Sequence, residues 1–166
     1  KAQCNIWQLQ SDFGIMHFPS NDVVLTDPMY NMASVLGVGE GNPKQRLEDY
    51  YNSPKPKYRW YKTDEKFVRP QLKADAEFKL REIEVVEDFL KARDMGYLTR
   101  PTVIGPLSFL LFARLRDRED SAVSLWPKIL PVYITLVKLL AEKGATWVQF
   151  DEPCFTQEQS LSLIHI

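Results

Sequence analysis

Apolar positions along the chain fall into two patterns, and their alternation predicts the architecture. GIMHF (14–18), PTVI (101–104) and TWVQF (146–150) are near-continuous apolar runs bounded by turn residues. Strands of a parallel sheet covered on both faces carry such runs. Between them the spacing turns helical. Met29, Met32, Ala33 and Leu36 lie at i, i+3, i+4 and i+7, one face of a helix. Thr26 suits its N-cap, Asp27 and Pro28 its first turn, and Gly37 its stop. Ile83, Val86, Phe89 and Leu90 share a second helical face. Glu82, Glu84, Glu87 and Asp88 crowd its start, Lys91 and Arg93 its end, and Gly96 stops it, as the helix dipole prefers. LSFLLFARL (107–115) opens at Pro106 and lacks a polar stripe, predicting a heavily buried helix. Ile129, Leu130, Val132, Tyr133, Leu136, Val137, Leu139 and Leu140 predict a long amphipathic helix ending at Gly144. Pro131 fits only if that helix starts close before it. Residues 37–57 read mainly as loop with a short helix near 44–51. A strand within 58–69, an extended piece at 78–80 and a charged loop at 116–121 complete the chain.

Strand, helix and strand at this spacing predict an α/β fold. Either a doubly wound sheet or part of a (β/α)8 barrel fits. A whole barrel needs about 250 residues, so 166 residues hold only part of one. In both architectures ligands bind beyond the carboxyl ends of the strands. Three strand ends meet that description: PSND with Asp22, the Gly105-Pro106 turn, and DEP with Asp151 and Glu152. Successive side chains of an extended segment point to opposite sides, so Asp151 and Glu152 do not act as a pair on one atom. Two readings stay open. In one, a carboxylate caps backbone amides or pairs with a buried arginine while the other faces solvent. In the other, one of them touches a ligand.

Composition changes little. Hydrophobic residues make up 45% and charged residues 26%, ordinary for a globular domain. Formal net charge is -1, so no overall field points to nucleic acid or to a membrane surface. No apolar run reaches the roughly 18 residues needed to span a bilayer. The N-terminal stretch has no apolar signal-peptide core. Cys4 and Cys154, far apart, predict a reducing, cytoplasmic setting rather than a disulfide scaffold. The charge is uneven, however. Residues 55–81 hold nine basic and four acidic residues, a local +5 against -6 elsewhere. That is a solvated basic loop or a site for an anionic ligand. No nucleophile elbow, P-loop, GxGxxG or zinc-ligand spacing occurs. GVGEG (37–41) follows a helix rather than a strand and reads as loop. His17 reads as a core or strand-end residue, and Cys154 as a small packing residue.

Several stretches in order go further: FPSND (18–22), KFVRPQL (66–72), TRPTVIGPLSFLL (99–111), ILPVY (129–133) and GATWVQFDEP (144–153). Together they resemble the N-terminal half of cobalamin-independent methionine synthase, over roughly residues 5 to 155 and weakly between Gly37 and Lys57. The resemblance implies a fold of two (β/α)8 barrels, of which these residues are a truncated part of the first. It implies transfer of a methyl group from 5-methyltetrahydrofolate polyglutamate to homocysteine, forming methionine. A zinc held by His, Cys, Glu and Cys of the C-terminal barrel would activate the thiol as thiolate. Neither a catalytic residue nor a metal ligand is then expected in this chain, which alone should be inactive. The first barrel would help bind the folate. Arg59, Trp60 and Tyr61 match a family Lys-Trp-Phe stretch whose lysine contacts the glutamate tail. Arg59 keeps that charge and can grip a carboxylate through two hydrogen bonds. Thr63, Asp64, Glu65, Lys66 and Phe67 depart from the family's Asn-Tyr-His-Tyr run.

The weaker folate candidates are Trp60, Asp22, Asp151 and Glu152. Expected partners are the folate and the C-terminal barrel, not nucleic acid or membrane. The alternatives are a non-catalytic folate- or polyanion-binding descendant of the barrel and another enzyme of the same superfamily. The tail TQEQSLSLIHI (156–166) does not continue the family pattern and is expected to be non-native, leaving 1–155 as the domain. Open sheet edges of a partial barrel predict self-association.

Overall fold

A computed structural model describes residues 2–23, 25–38, 46–52, 57–59, 66–81, 83–116 and 122–156. In chain order the elements are α1 (Ala2–Asp12), β1 (Phe18–Pro19), α2 (Pro28–Val35), α3 (Arg46–Asn52), β2 (Lys57–Arg59), β3 (Lys66–Val68), β4 (Gln71–Leu72) and α4 (Glu84–Asp94). There follow β5 (Thr99–Arg100), β6 (Thr102–Ile104), α5 (Pro106–Phe112), β7 (Arg114–Leu115), a 3-10 turn at Ala122–Leu125, α6 (Trp126–Glu142), β8 (Gln149–Asp151) and a 3-10 turn at Pro153–Thr156. The architecture is mixed helix and strand, consistent with an α/β fold.

The run 99–104 is the spine. Thr99–Arg100 lies parallel to Phe18–Pro19, and Thr102–Ile104 lies parallel to Gln149–Asp151. Pro101 divides β5 from β6 because it has no N–H to donate. Its carbonyl still accepts from the Gln149 amide at 2.8 Å, while the neighbouring Arg100 carbonyl accepts from Ser20 at 2.9 Å. Successive carbonyls of an extended chain point to opposite edges, so β1 and β8 flank one continuous run. The other pairs are β4 with β7, parallel, and β2 with β3, an antiparallel hairpin. Among the described residues the sheet is therefore a set of short, mostly parallel pieces.

The main core lies between this sheet and the helices. Met29 and Leu36 of the α2 region, Val86 of α4, Phe109 and Leu110 of α5, and Ile129, Leu136 and Leu140 of α6 are fully buried in it. A second cluster joins α1 to the spine's other side through Trp7, Phe18 and Ala92. Tyr97 packs on both aromatic rings of that cluster. The 21-residue helical run Ala122–Glu142 is long and apolar enough, by length and composition, to cross a membrane. The expectation that no apolar run reaches that length is corrected by this helix. Its buried stripe, Ile129, Val132, Tyr133, Leu136 and Leu140, packs in the core.

Several sequence expectations are corrected. GIMHF is not a buried strand. Gly14 and His17 both adopt positive φ, and Met16 is 72% exposed. Only Phe18–Pro19 pairs, and His17 is an exposed residue ahead of that strand, near Trp147. The cap of α2 is Asp27, one residue later than Thr26. LSFLLFARL is not one helix: α5 ends at Phe112, Ala113 turns extended, and Arg114–Leu115 join β4. An apolar run this short does not by itself separate helix from strand. Ile83 precedes α4 and is exposed, so that helix buries Val85, Val86, Phe89 and Ala92 instead. Pro131 lies inside α6, which starts five residues before it, on the exposed side where the lost amide bond costs least. Residues 78–80 form no strand, yet Lys79 and Arg81 donate to the Leu36 and Val35 carbonyls that end α2. The Ala2–Asp12 helix was not read from the sequence, because Trp7 is its one fully buried side chain. Trp60, Tyr61, residues 63–65, most of the 116–121 loop and the 157–166 tail lie outside the described residues.

Asp27 holds two elements together. One carboxylate oxygen accepts the Tyr30 amide of α2, and the other accepts the Val68 amide of β3, both at 2.8 Å. It is 4% exposed, and burial raises its carboxyl above the usual value despite these bonds. Burial and then the Asp27 charge push the neighbouring Tyr50 phenol up to about 12. Asn at position 27 would offer one acceptor and turn an N–H toward a donor. Asp27→Asn is expected to cost about 1–3 kcal/mol in denaturant unfolding. A raised carboxyl binds its proton more readily folded than unfolded, so its contribution to stability falls as pH rises through the window between the two values. The stability difference, wild type minus Asp27→Asn, should therefore be larger near pH 4 than at pH 7. A pH-independent difference would show that burial does not dominate at Asp27.

Candidate functional site

Three strand ends meet beside the N-terminal half of α2. They enclose a cleft of about 160 Å³ lined by Asn21, Asp22, Pro28, Asn31, Met32, Val35, Val85, Thr102, Val103, Ile104 and Asp151. Its floor is apolar and its rim is polar. Asn21 is locked by a reciprocal pair: its amide donates to the Thr102 carbonyl at 2.7 Å and accepts from the Thr102 amide at 2.9 Å. This continues the β1 pairing by one side-chain rung and carries Asp22 to the rim. Gln10 of α1 reaches one oxygen of Asp22 at 3.3 Å.

Asp151 is held by its own strand. Gln149, two residues earlier and on the same face, donates to Asp151 at 2.7 Å. Arg100 of β5 in turn donates to the Gln149 side-chain oxygen. The amide thus relays a cation to the carboxylate without placing a cation in the cleft, and its orientation is fixed from both ends.

Glu152 goes the other way and is not among the residues lining the cleft. Its two oxygens accept the Leu107 and Ser108 amides at 3.0 and 2.7 Å, satisfying free donors of the first turn of α5. The Gly105 amide donates to the Asp151 carbonyl at 2.8 Å. A Cβ on Gly105 would lie 2.2 Å from the Glu152 carboxyl carbon, so any other residue there must displace that carboxylate. The Cys154 amide donates to Ser108 Oγ at 3.1 Å. Burial first, with Glu152 adding to it, raises the Cys154 thiol, which keeps it protonated and unreactive. Tyr133 donates from its buried hydroxyl to the Ile104 carbonyl at 2.7 Å.

Of the residues singled out from sequence, the fold brings Asp22 and Asp151 together and sends Glu152 to a helix cap. Arg59 lies elsewhere, on the β2–β3 hairpin, where the register pairs it with Lys66. Trp60 is outside the described residues. The sequence reading missed Asn31, Thr102 and the Arg100–Gln149 relay. Gln149 and Asp151, two apart in a strand, were the available signal for the relay. Among the described residues the Cys/His set does not suit zinc. Cys4 packs beside Trp7, Cys154 against Ser108 and Glu152, and His17 near Trp147. Among the described residues no three His, Cys, Asp or Glu side chains gather for a metal ion.

The family model described as cobalamin-independent synthase, N-terminal domain, matches residues 1–165. The chain belongs to that family. It is 30% identical to a probable 5-methyltetrahydropteroyltriglutamate–homocysteine methyltransferase of Schizosaccharomyces pombe, covering 90% of this chain and 23% of the relative. It is 32% identical to the Chelativorans sp. enzyme of that name, over 93% of this chain and 23% of the relative. An Arabidopsis thaliana relative, numbered 2, is 30% identical over 93% of this chain and 22% of its own length. The chain thus spans less than a quarter of the curated relatives it matches.

In this N-terminal domain the Glu152 cap and Gly105 are one device, so their substitutions should not add. Glu152→Ala strands two helix amides and is expected to cost about 1–3 kcal/mol. Gly105→Ala should cost a similar amount by evicting the carboxylate. In the double variant the second change should add well under its single cost, measured by a double-mutant cycle in urea. Full additivity would mean that Gly105 is needed for something other than the Glu152 contact.

Proposed function

We propose that these residues are part of the first (β/α)8 barrel of a two-barrel methyltransferase. The whole enzyme would move a methyl group from 5-methyltetrahydropteroyltriglutamate to homocysteine. The observation that carries the reading is the family match across nearly the whole chain, joined by relatives whose names state that reaction. The parallel order of β1, the 99–104 run and β8, with ligand-competent residues at their carboxyl ends, is what one wall of such a barrel requires.

The role assigned to this part is to hold the folate's glutamate tail at the β2–β3 hairpin. The backbone register sets Arg59 opposite Lys66 at one rung, and the segment 55–81 carries a local +5, which favours an anionic partner. Zinc, where the whole enzyme carries it, would favour the thiolate of homocysteine. This chain's described residues do not form its site, so no step through the metal is assigned to them.

Titration of the 166-residue chain with 5-methyltetrahydropteroyltriglutamate tests the reading. Saturable binding is expected, weaker at high salt, and about ten-fold weaker in Arg59→Ala, a loss typical of one charge-assisted contact. Equal affinity for the mono- and triglutamate forms would overturn the tail assignment. A second expectation concerns turnover. The chain alone should transfer no methyl group to homocysteine, and measurable methionine formation by the pure chain would refute the division of labour.

A further inference from the structure

We infer that the outer face of the β4–β7 pair is a docking surface for an extended acidic peptide, one with carboxylates at alternate positions. The inference does not rest on the folate reading. It starts from the alternation of the two strands. Val68, Leu72, Ala113 and Leu115 are buried. Successive side chains of an extended segment point to opposite faces, so Arg69, Gln71, Lys73, Arg114 and Arg116 take the other one. Gln71, Lys73 and Arg116 are exposed there, and Arg69 and Arg114 are half-buried.

The pairing brings cations together from segments far apart in sequence. The register sets Gln71 opposite Arg114 and Leu72 opposite Leu115. The Arg114 amide donates to the Pro70 carbonyl at 3.0 Å, and the Arg116 amide to the Leu72 carbonyl at 2.8 Å. The second bond carries the parallel pairing one residue further and sets Arg116 beside Lys73. Arg69 precedes Gln71 by two residues and lies diagonal to Arg114. The face thus holds four cations and one neutral amide, and residues 69–73 and 113–116 contain no acid. Past Lys73 the chain turns, and the Glu77 carboxylate pairs with Lys128 of α6 at 3.0 Å.

The spacing of the cations narrows the class. Alternate residues of a strand repeat at about 6.6–6.8 Å, and neighbouring strands lie about 4.8 Å apart. An extended peptide with Asp or Glu at every second position carries its carboxylates at the same repeat as Arg114 and Arg116 on one strand, and Arg69 and Lys73 on the other. A guanidinium fork grips a carboxylate through two parallel hydrogen bonds. A strand face is not concave, so it selects a ligand that runs along it rather than a single small anion. Single-stranded nucleic acid binds where bases stack on aromatic rings, and the five outward residues include none. The nearest aromatic side chains along the chain, Phe67 and Phe112, pack on each other.

The attraction is local to this face. Formal net charge of the chain is -1, so the molecule as a whole exerts no pull on a polyanion. Arg69, Arg114 and Arg116 also make contacts of their own within the fold. Ion pairs of solvent-exposed cations are weak and exchangeable, so a ligand with several carboxylates at the matching repeat competes for them.

The test is a peptide series on the full 166-residue chain at low ionic strength, followed by backbone amide NMR shifts. The probes are the blocked pentapeptide Glu-Thr-Glu-Thr-Glu, its isomer Glu-Glu-Glu-Thr-Thr, the neutral Gln-Thr-Gln-Thr-Gln and a thymidine pentanucleotide. Saturable binding of the alternating acid is expected, with a dissociation constant on the order of 1 mM, as a few exposed ion pairs allow. The shifts should centre on 69–73 and 114–116 and fade at high salt. The block isomer should bind at least three-fold more weakly, and the neutral peptide should not saturate. Lys73→Gln and Arg116→Gln, both at exposed positions, should each weaken binding about two- to five-fold. Arg59→Ala should leave it unchanged, which separates this face from the folate proposal. Equal affinity for the two acidic isomers would overturn the inference, since charge alone would then explain it. So would equal or tighter binding of the pentanucleotide, a loss in Arg59→Ala as large as that in Arg116→Gln, or no saturable binding to folded protein. If a variant fails to fold, the wild-type series alone decides.

Discussion

Adjacent residues of an extended chain cannot face the same way, and this single geometric rule organises the site. At the end of β8 it sends Asp151 and Glu152 to opposite sides. Asp151 enters the cleft, and Glu152 crosses to the first turn of α5. The second consequence depends on the first. Because Glu152 reaches the α5 amides beside the β6–α5 turn, a side chain at 105 would displace its carboxylate, and glycine leaves it in place. One carboxylate therefore ties the last strand to α5, and its neighbour turns into the cleft. A strand that ended in a single acid could do only one of these.

The same economy appears at Asp27. A buried carboxylate is costly unless its oxygens are filled, and Asp27 fills both with amides from different elements. It caps α2 and holds β3, and α2 supplies one wall of the cleft. Gly37 closes the far end of that helix. Its positive φ and the Lys79 carbonyl, which would stand 2.7 Å from a Cβ, leave no room for a side chain. Both ends of α2 are thereby fixed to chain segments distant in sequence.

Much of this was legible in the sequence, and the failures have a common cause. Helices with a continuous apolar face, α2, α4 and α6, were placed to within a few residues. So was the meeting of strand ends that carries Asp22 and Asp151. The errors fall where burial and apolar composition part company. GIMHF is apolar but exposed, because Gly14 and His17 turn the chain before it can pair. LSFLLFARL changes from helix to strand at Ala113 with no change in hydropathy, because a partner strand, β4, takes over the hydrogen bonds. Conversely, α1 is polar along most of its length, and Trp7 is its one fully buried side chain. Local pattern reports neither a pairing partner nor a single anchor. The polar rim was half visible for a similar reason. Acids at strand ends stand out in a sequence, but Asn31 and Thr102 reach the rim only because the fold sets α2 beside β6.

The distribution of charge completes the functional logic. The chain is nearly neutral as a whole, yet its basic residues concentrate in 55–81, while the strand-end cleft has two acids and no base among its lining residues. A polyglutamate tail needs cations beside it, and a rim of carboxylates repels it. On the folate reading, the tail therefore belongs with the basic hairpin and not with the cleft. Separation of the two signs along the chain, rather than any motif, is the feature that would direct an anionic group to one region and away from the other.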